Sequence, residues 1–254
     1  QSVTRFCNCM TEASGDRGLA QGHRMIAGLL FDKDGTLFDF QRSWGEWAHG
    51  LVSDLAQGDA ARFANVAAAL GYDPENRVFL PDSLSIAGTA RDQARAIAPF
   101  MPDRDTAALE IRLAQAARSA RMVPAVPLRP LMTQFMAGGI ALGVATNDAE
   151  TAARKQLEVA QIIDVFQYIA GYDSGHGAKP HPGMCTGFAR ALDLDPRACV
   201  MVGDSRHDLE AGRAAGMRVV AVLTGVARAA DLAPHADVVL PDIGALPAWI
   251  AAQT

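Results

Sequence analysis

Lysine is nearly absent from this chain. Lys33, Lys155 and Lys179 are the only three, and the remaining basic residues are arginine. The formal net charge of -5 leaves no basic footprint, which argues against a nucleic-acid partner. Cysteine is scarce too. Cys7, Cys9, Cys185 and Cys199 are too few and too scattered for a disulfide framework. Cys7 and Cys9 have no second cysteine pair or nearby histidine pair to complete a metal site, so they read as incidental thiols. Cys199 falls in an apolar run and reads as core. No apolar run approaches the length of a membrane-spanning helix. Residues 1–24 are polar and lack the apolar stretch of a secretory signal, so they read as an N-terminal extension outside the core. The expected location is cytoplasmic. No internal repeat or low-complexity tract is evident.

What is present is apolar and alternating. Half of the 254 residues are hydrophobic, enough for a large domain or a core with a smaller module. Residues 25–31 read as a buried strand, and strands are also expected at 141–146, 166–171, 198–203, 218–223 and 237–240. Helices are expected between them, with stops at Gly138-Gly139 and Gly216. Strands alternating with helices predict a parallel sheet covered on both faces. One block breaks the alternation. From Phe40 to Met122 the pattern is helical, with Trp44, Trp47, Ala48, Leu51, Val52 and Leu55 at helical spacing and no strand. The segment 122–130, punctuated by prolines, reads as the return linker. The expected architecture is therefore an α/β core, residues 25–39 and 123–254, with a helical insertion, residues 40–122. An insertion directly after the first strand would hang over the carboxyl edge of the sheet, where a lid sits.

Each core strand ends in polar residues. The first ends in Asp32-Lys33-Asp34-Gly35-Thr36, the second in Thr146-Asn147-Asp148. The third leads to Lys179-Pro180, and the fourth to Gly203-Asp204-Ser205-Arg206-His207-Asp208. In a parallel sheet these ends share one edge and can meet in one crevice. Clustered carboxylates repel one another, and a divalent cation relieves the repulsion. An oxygen-only set points to Mg²⁺ rather than zinc. Thr146, Asn147 and Lys179 are donors suited to the oxygens of an anion. Together they would let an anionic substrate approach an anionic nucleophile.

In this order and spacing, the four runs resemble the four motifs of the haloacid dehalogenase-like (HAD) hydrolases, over essentially residues 25–240. The stretch from His181-Pro182 to Gly216-Met217 is similar to phosphoglycolate-phosphatase-type members. The resemblance implies a Rossmann-like three-layer core with an inserted all-helical cap of type C1. It implies a Mg²⁺-dependent phosphatase acting on a small phosphate monoester, with phosphoglycolate or a sugar phosphate first in line. Asp32 would be the nucleophile that forms an aspartyl-phosphate, and Asp34 the acid and base. Asp32, the Asp34 main-chain carbonyl and Asp204 would ligate the metal, with Asp208 orienting its waters or Lys179. Gly35, Thr146, Asn147 and Lys179 would bind the phosphoryl group. Asp34 separates this branch from dehalogenase-type members, which lack the second acid. The absence of lysine from residues 40–122 argues against a phosphonatase-type Schiff base and weakens, without excluding, a mutase of the β-phosphoglucomutase type. A non-enzymatic phospho-acceptor or binding module is the alternative from another class; Asp34 argues for turnover over storage. No catalytic position looks degraded, which counts against a pseudoenzyme.

Other residues carry plainer expectations. His176, His181 and His207 read as loop or rim residues. Trp44 and Trp47 read as core of the inserted helices rather than substrate stackers. Arg42, Arg91 and His49 are candidate substrate contacts in or near the insertion, with exposed charges on helices the favoured reading for each. Residues 83–89 read as a loop that could face the crevice.

Overall fold

A computed structural model describes residues 25–81 and 83–253. Cys7, Cys9 and the N-terminal extension lie outside the described residues. The core strands are β1 (Gly28–Phe31), β4 (Ala141–Ala145), β5 (Tyr168–Ala170), β6 (Cys199–Gly203), β7 (Arg218–Val222) and β8 (Val238–Leu240). All pair in parallel, in the order β5-β4-β1-β6-β7-β8. β1 is the pivot: Leu29 lies opposite Leu142 and Val200, and Phe31 opposite Val144 and Val202.

The helices that cover the sheet follow from strand periodicity. Alternate residues face opposite sides. Leu29, Phe31, Val144, Val200 and Val202 join one apolar cluster with Met132 and Phe135 of α6 (Leu128–Ala137) and Leu246 of α11 (Leu246–Ala251). Leu30, Ala145, Met201 and Ala221 join a second cluster with Phe188 of α8 (Gly183–Ala191) and Leu209 of α9 (Arg206–Ala214). Cys199 is fully buried there, as expected. Both faces are covered, so the strands are near-continuous apolar runs rather than alternating ones. The remaining core helices are α7 (Glu150–Val159) and α10 (Ala229–Leu232). α6 begins at Leu128, inside the stretch read as linker. Pro130 sits in its first turn, where a missing N–H removes no helical bond.

The insertion comprises α1 (Phe40–Ala56), α2 (Ala60–Leu70), α3 (Leu84–Ala87), α4 (Ala90–Ile97) and α5 (Thr106–Ala117). Asp39 caps α1 by accepting the Arg42 N–H at 3.0 Å. Phe40, Trp44, Ala48, Leu51, Val52 and Leu55 share a third apolar cluster with Leu70, Ile97 and Leu113. The block is not wholly helical. Tyr72–Asp73 (β2) and Val78–Phe79 (β3) form an antiparallel hairpin where no strand was expected. Two residues per strand are too few to show a period of two, and Asp73 shapes the turn by accepting the N–H groups of Glu75 and Asn76. No helix among the described residues is long and apolar enough to cross a membrane.

Candidate active site

From β1 the chain leads by way of the insertion to β4 on one side, and from β6 it leads to β7 on the other. The switch point lies between β1 and β6. Open sheets bind ligands at such a point, because the loops diverge and leave a crevice. Asp32 directly follows β1, and Asp204 directly follows β6.

The turn after β1 is closed by its own backbone. Leu37 and Phe38 donate to the Lys33 carbonyl, each at 3.0 Å, and Gly35 donates to the Phe38 carbonyl at 2.7 Å. Gly35 has φ of 80°, a conformation that other residues adopt only with strain. A Cβ there, or at Gly225, would run into the Asp204 carboxylate. The two glycines thus form a cradle around that carboxylate.

Lys179 gathers the site. Its main chain is clamped by the Asn147 side chain, which donates to the Lys179 carbonyl at 3.0 Å and accepts its N–H at 2.8 Å. Its ammonium then donates to Asp32 Oδ1 at 2.5 Å, Asp208 Oδ1 at 2.5 Å and the Ala145 carbonyl at 2.8 Å. All three ammonium protons are placed. Asp208 is fixed from the other side by a capping box at the start of α9. Its Oδ2 accepts from the Ser205 hydroxyl at 2.7 Å and the Ser205 N–H at 3.0 Å. Thr146 is buried, and its hydroxyl oxygen accepts the Asp148 N–H at 3.0 Å. That arrangement leaves the hydroxyl proton able to point elsewhere.

Five carboxylates, those of Asp32, Asp34, Asp148, Asp204 and Asp208, share this region with two ammonium groups, Lys33 and Lys179. Burial pushes the Asp32 carboxyl up to about 7, with Lys179 pulling the other way. Burial also raises Asp204 well above the carboxylate range, and Asp208 and Asp32 add to it. Asp148 is raised chiefly by burial, against the pull of Lys33. The two lysines show the converse. Burial alone would lower them, but the facing carboxylates hold both above the ordinary ammonium value.

These residues fit a divalent cation. Asp204 Oδ2 is buried without any hydrogen-bond donor. Such an orphan is costly unless something positive sits on it. Carboxylate oxygens of Asp32, Asp204 and Asp208 all lie within 4.8 Å of one another. The Thr36 hydroxyl reaches the other Asp204 oxygen at 3.3 Å, which holds the group in place. Hard oxygen donors of this kind select Mg²⁺-like ions.

Asp34 is held by partners that sequence reasoning missed. Lys33, fully buried, donates to Asp34 Oδ2 at 2.5 Å and lies 3.4 Å from Asp148. Trp44 donates its indole N–H to Asp34 Oδ1 at 2.8 Å, and its ring lies over the Lys33 ammonium at 5.4 Å. Trp44 was expected only to fill the insertion's core. It does so, at 8 % exposed, but its polar edge reaches the acidic turn after β1. The signal for Lys33 was its rarity: one of three lysines in the chain stands between the two acids.

A cleft, part of it open to solvent, runs from these groups to the insertion. Asp32, Asp34, Thr146, Asn147, Lys179 and Asp208 all line it, as do Ser205 and His207. Gly35 and Asp204 lie behind it, in mutual contact. Ser85, Ile86 and Gly88 line the opposite wall, in the segment read as a facing loop; part of that segment is α3. Trp47 also lines the cleft, and its indole N–H is taken by the Ala116 carbonyl at 3.2 Å. Arg42 is exposed, Arg91 is bound to Glu110, and His49 packs against Phe63, all away from the cleft lining. The His181 Nδ1 lies 3.0 Å from the His176 main-chain carbonyl, in a loop.

The family model for haloacid dehalogenase-like hydrolases matches residues 101–222. Hexitol phosphatase B of Escherichia coli is 30 % identical over 206 residues, spanning 78 % of this chain and 84 % of that protein. A phosphoglycolate phosphatase of Neisseria meningitidis is 40 % identical over 111 residues, 43 % of this chain and 47 % of that protein. Among solved structures, a putative phosphoglycolate phosphatase from Lactobacillus delbrueckii superposes with a TM-score of 0.66 at 20 % identity, covering 89 % of this chain and 98 % of that one. With strand order, acidic turn and relatives in agreement, the chain belongs to the haloacid dehalogenase-like hydrolases.

Proposed function

We propose that this protein is a Mg²⁺-dependent phosphatase that hydrolyses a small phosphate monoester through an aspartyl-phosphate on Asp32. The observation that carries this reading is the Asp32 carboxylate at the switch point, tied to Lys179 and flanked by Asp34 and the orphaned Asp204 oxygen. Asp32, Asp204 and the Asp34 main-chain carbonyl would hold the ion. When bound, it supplies positive charge that keeps Asp32 ionised and draws the phosphoryl oxygens in.

An Asp32 oxygen attacks phosphorus while the bond to the ester oxygen breaks. Asp34 gives a proton to the departing oxygen, forming an alcohol. It then takes a proton from the water that attacks the aspartyl-phosphate, releasing phosphate and regenerating Asp32. Lys179 fixes the attacking carboxylate and neutralises charge beside it. The Thr146 hydroxyl faces the phosphoryl oxygens. The Asn147 side chain is committed to the Lys179 main chain, so its contribution runs through Lys179. The insertion acts as a cap that excludes bulk water from the intermediate.

The names of the relatives keep phosphoglycolate and hexitol phosphates as the initial candidates. A phosphosugar mutase is disfavoured because no lysine, arginine or histidine of the insertion lines the cleft among the described residues. The test is phosphate release from a metabolite panel with Mg²⁺, beside Asp32→Asn. Release that depends on both Mg²⁺ and Asp32 is expected. No release from any ester, or release unchanged by EDTA, overturns the mechanism.

A further inference from the structure

The cleft has two unlike ends. The core end carries every charged group on the lining: Asp32, Asp34, Asp148, Lys179, His207 and Asp208. The insertion end is a hydrocarbon wall built from Phe40, Trp44, Leu51, Phe79, Ile86 and Leu113. Two polar side chains of the insertion, Ser85 and Gln93, reach the lining, and the Ser85 hydroxyl is spent on the Leu70 carbonyl at 3.3 Å. Both tryptophan N–H groups are spent as well, on Asp34 and on Ala116. The insertion does own cations, but among the described residues none of them lines the cleft. Four of its arginines are ion-paired within the insertion: Arg62 with Asp59, Arg77 with Glu46, Arg91 with Glu110 and Arg95 with Asp92.

An ester whose phosphate sits at Asp32 and whose leaving group extends toward the insertion lays that group along this wall. A carboxylate there would lose its hydration and find no cation on the wall. A polyol would lose several hydrogen bonds and find Gln93 alone among the unspent side chains of the wall. Stripping such groups of water without replacement is heavily penalised. A hydrocarbon group meets the opposite situation, because its burial is favourable and roughly proportional to area.

We propose that the leaving group of the natural substrate is an apolar alcohol, aliphatic or aromatic, with at most one polar group within reach of Gln93. The inference rests on the phosphatase reading above and replaces phosphoglycolate and sugar phosphates as the preferred substrates. His207 does not reverse it. It sits on the core side, next to Asp208, where the phosphate end of an ester would lie rather than its leaving group.

The test is a series of unbranched alkyl phosphates, methyl to butyl, whose leaving alcohols differ little in acidity, assayed with Mg²⁺ beside 2-phosphoglycolate and a hexitol 6-phosphate. Each added methylene is expected to raise kcat/KM about fourfold. Butyl phosphate is expected to exceed both polar esters by at least about 10-fold. The Ile86→Arg variant, placing a cation on the wall, should shift the ratio toward 2-phosphoglycolate by about 10-fold or more. If the polar esters are cleaved while the alkyl series is flat, the apolar assignment falls and the phosphatase reading survives. If no ester is cleaved by the wild type, both fall together. Should Ile86→Arg fail to fold, the wild-type series alone decides.

Discussion

Replacing Lys179 by methionine removes the one cation that joins Asp32 to Asp208. Lys179 is 5 % exposed, and its ammonium bonds both carboxylates at 2.5 Å. Deleting one partner of a buried ion pair costs about 3–5 kcal/mol, because the other charge is left uncompensated. The loss depends on pH, and the sign follows from Asp32. Its carboxyl already titrates near 7 in the fold against 3.8 as the reference value. Without Lys179 it rises further. Between those values the folded state keeps a proton that the unfolded state gives up, so stability falls as pH rises. At pH 8 in EDTA, urea unfolding of Lys179→Met is expected to show the full loss of about 3–5 kcal/mol. At pH 5.5 Asp32 takes up a proton, and the loss shrinks to about 1–2 kcal/mol, the cost of the broken hydrogen bonds. The exposed Lys155, paired only with Glu158 at 3.5 Å, is the control. Lys155→Met should change stability by less than about 0.5 kcal/mol at either pH. A Lys179→Met loss that is equal at both pH values, or below about 1 kcal/mol at pH 8, would refute the reasoning.

Mg²⁺ at a hundred times its dissociation constant should stabilise the wild type by about 2.7 kcal/mol, read as a rise in Tm. Asp204→Asn should abolish that rise, and a retained shift would place the ion elsewhere. Asp34→Asn is expected to lower kcat by about 10²–10⁴-fold, with acid-stable phosphate trapped on the protein in a quench assay. Full activity in that variant would remove Asp34 from the mechanism. Trp44→Phe keeps the apolar packing and deletes the hydrogen bond to Asp34. A lost bond to a charged group of about 1.5 kcal/mol predicts a roughly 10-fold fall in kcat with KM little changed. A change confined to KM would instead make Trp44 a wall of the substrate cleft and nothing more.

Much of the core was legible because it rests on local chemistry. The strand ending at Phe31, the acids at 32 and 34, and the Ser205-to-Asp208 capping box are all short-range patterns. Each core strand appeared within a few residues of its expected position, whereas α11 after the last strand was not expected. The hairpin at Tyr72–Asp73 and Val78–Phe79 escaped because its strands are shorter than the period that reveals a strand. Asn147 shows a different limit. Its place after β4 was evident, but a bond to Lys179, 32 residues away, decides what its side chain does.

By itself, the order of residues determined the α/β core, the insertion after the first acidic turn and the carboxylates brought to one sheet edge. Periodicity, capping and turn chemistry act within a few residues, so the linear sequence records them. Tertiary structure alone decided that Lys33 and Trp44 grip Asp34, that Asp204 keeps a bare oxygen, and that the insertion turns hydrocarbon toward the cleft. Those outcomes depend on how separate layers pack and on which polar groups find partners before a substrate arrives. The scarcity of lysine takes its meaning there. Two of the three lysines in the chain are buried among carboxylates, and the arginines of the insertion that form ion pairs do so with its own acids, away from the cleft wall.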